Sequence, residues 1–506
     1  MLPLWAALLF AAASGPIMDA GFPDGYLWPL TFAGIALVLV SLIGRRPRSA
    51  LLVGFVAGLA FYFIHIDWVS LFLGPLPMTA LSVLESLFVA VGALLISLAY
   101  RWCAALWSTG LGRLGMLPLV VSGIWTAREA IESVWPYGGF AWGRVAISQS
   151  EGPLAHLFSW IGISGVTFVM VWIVALAVEA VRLTSFPRLA RVTVAVAAIA
   201  LAVVVPAFPV ALQGTSTIAA VQGNGKAAYF DSRQPGDLLT AQLRATEPLF
   251  GTKVDMVVWP EGGSDLDPLE DATAARVFDL VSEQMNAPLI AGTITQRGEL
   301  SYNTSLLWKA GEGVTDYYDK KHPVPFGEYV PNRAFWEPFA PDLIGLIGRE
   351  YTPGTTDTVF DINGVIAGIN ICFDITDDDI MRTSVQEGAQ VILAQTNNAD
   401  FGKTDESVQQ LAIARIRAME LGRTVVNVST VGTSAMIRPD GSTIVQLPTY
   451  TAAAMVETVP LSTTVTPASI AGKGIEYLVG GFGLFAVLVA GLAARSPRPR
   501  RVRARG

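Results

Sequence analysis

A chain of 506 residues that is 52% hydrophobic and 15% charged is too apolar for a water-soluble globule, in which about a quarter of residues carry charge, so part of it belongs in lipid. Two cysteines, Cys103 and Cys372, are too few for a disulfide framework, three histidines argue against a His-rich metal site, and we expect neither metal nor cofactor. The formal net charge of -7 is uneven, with acids in the middle and arginines in the flanks, a pattern that bears on membrane orientation and not on nucleic acid.

A bilayer core takes ~20 apolar residues of helix. Stretches at Leu4–Ala13, Leu27–Ile43, Leu51–Ile64, Thr79–Tyr100, Leu117–Ile131, Leu157–Val181, Val192–Leu212 and Leu478–Ala494 therefore predict about eight transmembrane helices. The first ends in "AAASG", as a signal peptide could, but it lacks the basic n-region, and we expect it to be retained. Arg45, Arg46 and Arg48 follow the second stretch, Arg101 and Arg113 the fourth, Arg182, Arg188 and Arg191 the sixth, and "RSPRPRRVRARG" the eighth. The positive-inside rule puts those ends, and the C-terminus, in the cytoplasm. The long segment between stretches seven and eight then faces the outside, and Cys103 and Cys372 fall on opposite sides of the membrane.

Three parts follow: a membrane domain over 1–213, an extracytoplasmic α/β domain over 214–466, and a transmembrane helix with a basic tail over 467–506. In the middle part the β-branched runs "TSTIAAVQ", "VDMVVWP", "APLIAGTIT", "NTSLLW", "GVIAGINICF", "QVILAQT" and "TVVNVST" alternate with helical patterns at Leu238–Phe250, Ala272–Met285 and Ser407–Leu421. That alternation predicts a sheet covered by helices. "IRPDGSTIV" predicts a hairpin turning at Asp440 and Gly441.

Chemistry-bearing residues cluster at strand ends or in the loops that follow. "VVWPEGG" sends Glu261 out of an apolar strand, "YDKKHPVPFGEYVP" stiffens a loop carrying Lys320, Lys321, His322 and Glu328, and "GINICFDITDDDI" delivers Cys372 and then a burst of acid. Each alone reads as a solvated loop residue, a charged loop or a core thiol. Together they supply a base, an electrostatic stabiliser and a nucleophile, the parts that amide and acyl chemistry needs.

The order and local sequence resemble the nitrilase superfamily, whose Glu, Lys, Cys triad sits on an αββα sandwich; the matching positions are Glu261, Lys320 and Cys372. Lys320 matches better than Lys321 because that pattern leaves one residue between lysine and histidine. With seven apolar spans before it and one after, the chain further resembles the apolipoprotein N-acyltransferase family. "VPFGEYVP", "GINICFD" and "ARIRAMELGR" carry that likeness, and "GGFAWGRVAISQSEGPL" resembles the family's membrane-half loop. The resemblance implies a bacterial plasma membrane enzyme that takes an acyl chain from a phospholipid and passes it, through a thioester on Cys372, to the amine of a diacylated apolipoprotein. It also implies that Lys320 lowers the thiol's pKa, that Glu261 is the general base, and that Glu328 orients Lys320 or the incoming amine.

Departures from the family pattern mark positions expected to shape substrate contacts. Asp374, beside Phe373, stands where a glutamate is common; "NNADFG" brings Asn398 and Asp400 in place of "NDAWFG"; and Phe230 or Tyr229 replaces an expected tryptophan. "RAFWEPFAPDLIGLIG", with Trp336 and Phe339, is too apolar for an ordinary exposed loop and predicts an arm dipping into the outer leaflet, the alternative being packing against the protein's own spans. Arg128, Glu129 and Glu132 in the fifth stretch predict a structural ion pair. Two rival functions remain open: a membrane-tethered amidase sharing the triad, and a scaffold without chemistry.

Overall fold

A computed structural model describes residues 1–185 and 187–495 of the chain. The basic tail beyond Arg495 lies outside the described residues. Each of the eight apolar stretches forms a helix: Leu4–Asp19, Pro29–Leu42, Pro47–His65, Pro75–Leu106, Met116–Glu132, Phe158–Arg182, Arg188–Val204 and Gly474–Arg495. Among the described residues, five helical segments are long and apolar enough to cross a membrane, namely Pro47–His65, Pro75–Leu106, Gly110–Glu132, Ala155–Arg182 and Gly474–Arg495. The other three have 16, 14 and 17 residues, roughly 21 to 26 Å of helix, short of a ~30 Å hydrocarbon core.

The C-terminal helix approaches Met116–Glu132 closely, because Gly123 and Gly483 meet where a Cβ on Gly123 would come within 2.3 Å of the Val479 carbonyl oxygen. Three charges of the Met116–Glu132 helix are brought together. Arg128 bridges Glu132 at 2.7 Å and Glu129 at 3.3 Å, while Trp125 and Thr167 donate to Glu129 at 2.8 and 2.9 Å. This is the structural ion pair the sequence predicts.

Between the seventh and eighth helices lie two six-stranded sheets. One runs β12-β1-β2-β3-β4-β5 and the other β11-β10-β9-β8-β7-β6, where β1 is Leu212–Gln222, β2 Met256–Val258, β3 Leu289–Arg297, β4 Leu300–Lys309, β5 Gly313–Asp319, β6 Val359–Ile362, β7 Val365–Ile371, β8 Val391–Thr396, β9 Thr424–Ser429, β10 Ala435–Ile437, β11 Thr443–Gln446 and β12 Ala453–Ser462. The central strands β1, β2 and β3 are parallel, as are β7, β8 and β9. Such strands are buried on both faces and read as continuous apolar runs. Their inner faces meet in one core containing Ile218, Val258 and Ile290 from the first sheet and Ile369, Leu393 and Val426 from the second. The hairpin forms as predicted, with Gly441 at φ +85 in its turn.

Helices Asp237–Thr246 and Ala272–Met285 cover the outer face of the first sheet. The outer face of the second is covered by Asp378–Gln386 and Glu406–Leu421, and there the core does not end. Ile392 and Val425 of the sheet, Ile413 and Ile416 of the helix, and Leu157, Ile163 and Val171 of the membrane half form one continuous apolar cluster.

The acids after Cys372 fasten this junction. Asp377 caps the Asp378–Gln386 helix, accepting from the N–H groups of Asp379 and Ile380 at 2.8 and 3.0 Å. Asp378 sits between Arg144, in the membrane-half loop, at 2.9 Å and Arg417 at 2.5 Å, and Asp379 pairs with Lys473 at 2.5 Å. Burial alone would raise the Asp378 pKa, but Arg144 and Arg417 together hold it well below the usual carboxylate range.

Candidate active site

Three strands end at one point between the two sheets. Beyond β2, the Trp259-Pro260 step turns Glu261 inward; β5 ends at Asp319 and releases Lys320; β7 ends at Ile371 and releases Cys372. Lys320 and not Lys321 enters the site: its Nζ lies 3.2 Å from Glu261 Oε1 and 2.8 Å from Glu328 Oε2, and the residue is 1% exposed. Asn303, a strand residue in the sequence reading with no role there, is the missing brace. Its Nδ2 donates to Glu261 at 2.7 Å and Glu328 at 3.1 Å, and its carbonyl accepts the Lys320 N–H at 2.8 Å. Glu328 is fixed in turn by the Val324 N–H at 2.7 Å. Among the described residues no group of three or more His, Cys, Asp or Glu is placed to hold a metal ion.

Cys372 adopts φ +49, the left-handed region that a side chain enters at a cost of about 1–3 kcal/mol. The chain bends there from strand into a short 3₁₀ turn, Cys372–Thr376, so that the sulfur stands proud of the bend, partly buried. Asp374 holds the bend. Fully buried, it accepts from the Tyr318 hydroxyl at 2.9 Å, the His322 N–H at 2.8 Å and the Ile371 N–H at 3.3 Å, tying the Lys320 loop to the Cys372 turn.

That corrects two expectations. Asp374 has no open face for substrate, and the shorter acid fits because all its partners are internal. Phe373 is likewise turned away, buried against the Trp142 ring, with centroids 6.0 Å apart and planes within 5°, and against His322. It links the catalytic turn to the membrane-half loop. Of the other expected substrate contacts, Phe230 and Phe339 are exposed, at 54% and 73%, whereas Trp336 is half-buried, stacked edge-on to Phe326 with its Nε1 donating to the Tyr137 hydroxyl at 3.3 Å. The arm divides: Trp336 packs on the protein while Phe335, Phe339 and Leu346 point outward.

Lys320 lowers the Cys372 thiol as expected, but it is outweighed. Burial and the Glu261 carboxylate push the Cys372 thiol well above its ordinary value, and Lys320 offsets only part of that. Burial also raises Glu261, with Lys320 opposing and Glu328 adding to the rise. Lys320 is held ionised, its burial outweighed by Glu261 and Glu328. These shifts favour the thiol form of Cys372 and a more basic Glu261 carboxylate beside the Lys320 ammonium.

Comparison with known proteins accounts for both halves of the chain. Residues 14–176 match the apolipoprotein N-acyltransferase N-terminal domain and residues 217–466 match carbon-nitrogen hydrolase. An apolipoprotein N-acyltransferase of Mycolicibacterium smegmatis is 30% identical over 99% of this chain and 88% of its own length. The chain belongs to the apolipoprotein N-acyltransferase family. Another member, from Azotobacter vinelandii, is 29% identical over 88% of each chain. Among solved structures, the chain is similar to a Nesterenkonia amidase of the nitrilase superfamily (17% identity, TM-score 0.38, 50% of this chain and 94% of that one) and to a CN-hydrolase superfamily protein from Xanthomonas campestris (18%, 0.38, 51% and 93%). Family membership and the apolar helices make this a multi-pass membrane protein with a nitrilase-like α/β domain.

Proposed function

We propose that the protein N-acylates the terminal diacylglyceryl-cysteine of apolipoproteins, with phospholipid as acyl donor and Cys372 as the carrier. The observation behind this reading is Cys372 raised on its bend within reach of Glu261 and Lys320, in a chain that matches the family in both its halves. Glu261 takes the thiol proton as sulfur attacks the ester carbonyl. Lys320 and the N–H following Cys372 stabilise the oxyanion, and collapse expels lysophospholipid, whose oxygen receives the proton from Glu261. The lipoprotein amine then attacks the thioester, its proton passes through Glu261 to the departing sulfur, and an amide is left. We read all eight apolar helices as membrane-crossing or membrane-embedded, with the catalytic domain outside and the C-terminus in the cytoplasm, on the arginine distribution.

The test is intact mass after incubation with phospholipid alone. Wild type should gain one hydroxylamine-sensitive acyl chain and Cys372→Ala none. Ammonia release from simple amides without any adduct would replace this reading with the amidase, and neither outcome would leave the scaffold.

Phe335, Phe339 and Leu346, exposed beside Tyr229 and Phe230, form an apolar rim that suits lipid access. Replacing Trp336 and Phe339 together with serine should slow acylation from phospholipid about tenfold, as expected for losing one buried aromatic contact with lipid, and spare acylation from a short-chain soluble ester. Equal single-turnover rates with phospholipid would remove the arm from the mechanism.

A further inference from the structure

Cys372 has one side-chain neighbour that the triad does not explain. Gln410, in the second turn of the Glu406–Leu421 helix and 1% exposed, places its Nε2 3.5 Å from Cys372 Sγ. An amide can face either way, and here the surrounding hydrogen bonds select the direction. The Gly432 N–H, a donor only, donates to Ser429 Oγ at 2.9 Å, and Ser429 donates to Asn398 Oδ1 at 2.6 Å, where the Thr396 hydroxyl also donates at 3.0 Å. With its oxygen committed, Asn398 directs its amide N–H groups to the buried Glu406 carboxylate at 2.8 Å and to Gln410 Oε1 at 2.7 Å. The Gln410 oxygen is thus held as acceptor, and its N–H is aimed at the sulfur.

The arrangement is built closely. Glycine is required at Gly432, because a Cβ there would fall 2.3 Å from Asn398 Oδ1. Asn398, Glu406 and Gln410 are all buried, so the amide is not free to turn toward water.

We infer that Gln410 is a further catalytic residue, donating a hydrogen bond to the Cys372 thiolate as it forms and holding the sulfur in line for attack, with Asn398 as its positioning residue. This rests on the reading of Cys372 as the acylated nucleophile. The physical need is plain. A sulfur pushed toward its neutral form by burial and by a nearby carboxylate gains from every donor that favours the anion. Lys320 favours the anion by its charge from the side of β5, and Gln410 supplies a hydrogen-bond donor from the helix. The thioester sulfur itself is a weak acceptor, but charge returns to it as the amine displaces it, so the same donor serves in both half-reactions.

The test uses the full chain in detergent micelles. Iodoacetamide alkylation of the Cys372 peptide, followed by mass across pH, reports the thiolate without any acyl donor. Gln410→Met keeps the shape and removes the N–H. It should raise the alkylation midpoint by about one pH unit and slow both single-turnover acyl-adduct formation and transfer from a preformed thioester to a diacylated peptide, each about tenfold. Gln410→His, which restores a ring N–H, should recover part of these losses. Where Gln410→Met does not fold, Asn398→Asp leaves the Gln410 oxygen without its donor and should produce the same shift. An unchanged alkylation midpoint in a folded variant overturns the inference. A midpoint that shifts in a protein that never gains an acyl adduct upholds Gln410 as a thiolate donor and removes the acyl-transfer reading instead.

Discussion

Replacing Lys320 with methionine is expected to slow acyl-enzyme formation by at least ~1000-fold, the upper range for losing one oxyanion donor, while the protein still assembles. Two losses combine. The ammonium that would face the developing oxyanion disappears, and so does the cation paired with Glu261 and Glu328 at 3.2 and 2.8 Å. Asn303 alone would then bridge the two side chains. Burial already raises Glu261 and Lys320 opposes that rise, so removing the ammonium raises Glu261 further and impairs the base together with the donor. Arginine should not rescue, because the Lys320 side chain is only 2% exposed and a guanidinium is both larger and planar. Quenched single-turnover mass measurement of the acyl adduct gives the rate. A residual rate within tenfold of wild type would mean that Lys320 is structural and that the oxyanion is held elsewhere.

Glu261 and Cys372 were legible as candidates because each follows an apolar run, and Lys320 only through its local pattern with His322. Their supports were not. β5, which carries Lys320, reads "GVTDYYD" and half of it is exposed, so no apolar run marks it as a strand. β12 pairs with β1 across more than 200 residues of chain, and no local signal announces that pairing. Asn303 and Gln410 carry no charge and sit inside regular elements, where their types look like ordinary polar positions, while Asn398 lies just past β8; the convergence of these segments brings Asn303 to Glu261 and Asn398 to Gln410. The acid after Cys372 drew notice for a substrate role, yet Asp374 proved a buckle between two loops and Asp378 a clamp whose partners lie at Arg144 and Arg417. An acidic burst in sequence says that cations are needed nearby in space and leaves their identity to the tertiary fold.

Asp378→Asn should destabilise the protein by about 3 to 5 kcal/mol, the range for breaking a buried ion pair and leaving its partners uncompensated. Arg144 is 3% exposed and Arg417 1%, so removing the carboxylate leaves two guanidiniums facing each other out of reach of water, with Glu420 at 2.5 Å neutralising only Arg417. Thermal unfolding in detergent should show the loss, and Arg144→Met added to Asp378→Asn should recover part of it, since the unpaired charge goes too. The pH dependence identifies the cause. Asp378 has a folded pKa below its unfolded value, so its contribution is complete above the unfolded carboxylate pKa, about 3.9, and is lost as pH falls through the folded value. The difference between wild type and variant should therefore stay constant from about pH 5 to 8 and shrink only below that. A difference that instead faded between pH 5 and 8 would point to Asp374, which burial pushes up to about 6, as the responsible acid. Because Asp378 joins the membrane-half loop to the segment six residues past the nucleophile, the same variant should lose acylation in step with stability, and activity that survived full loss of the clamp would show that the catalytic turn is held by Asp374 alone.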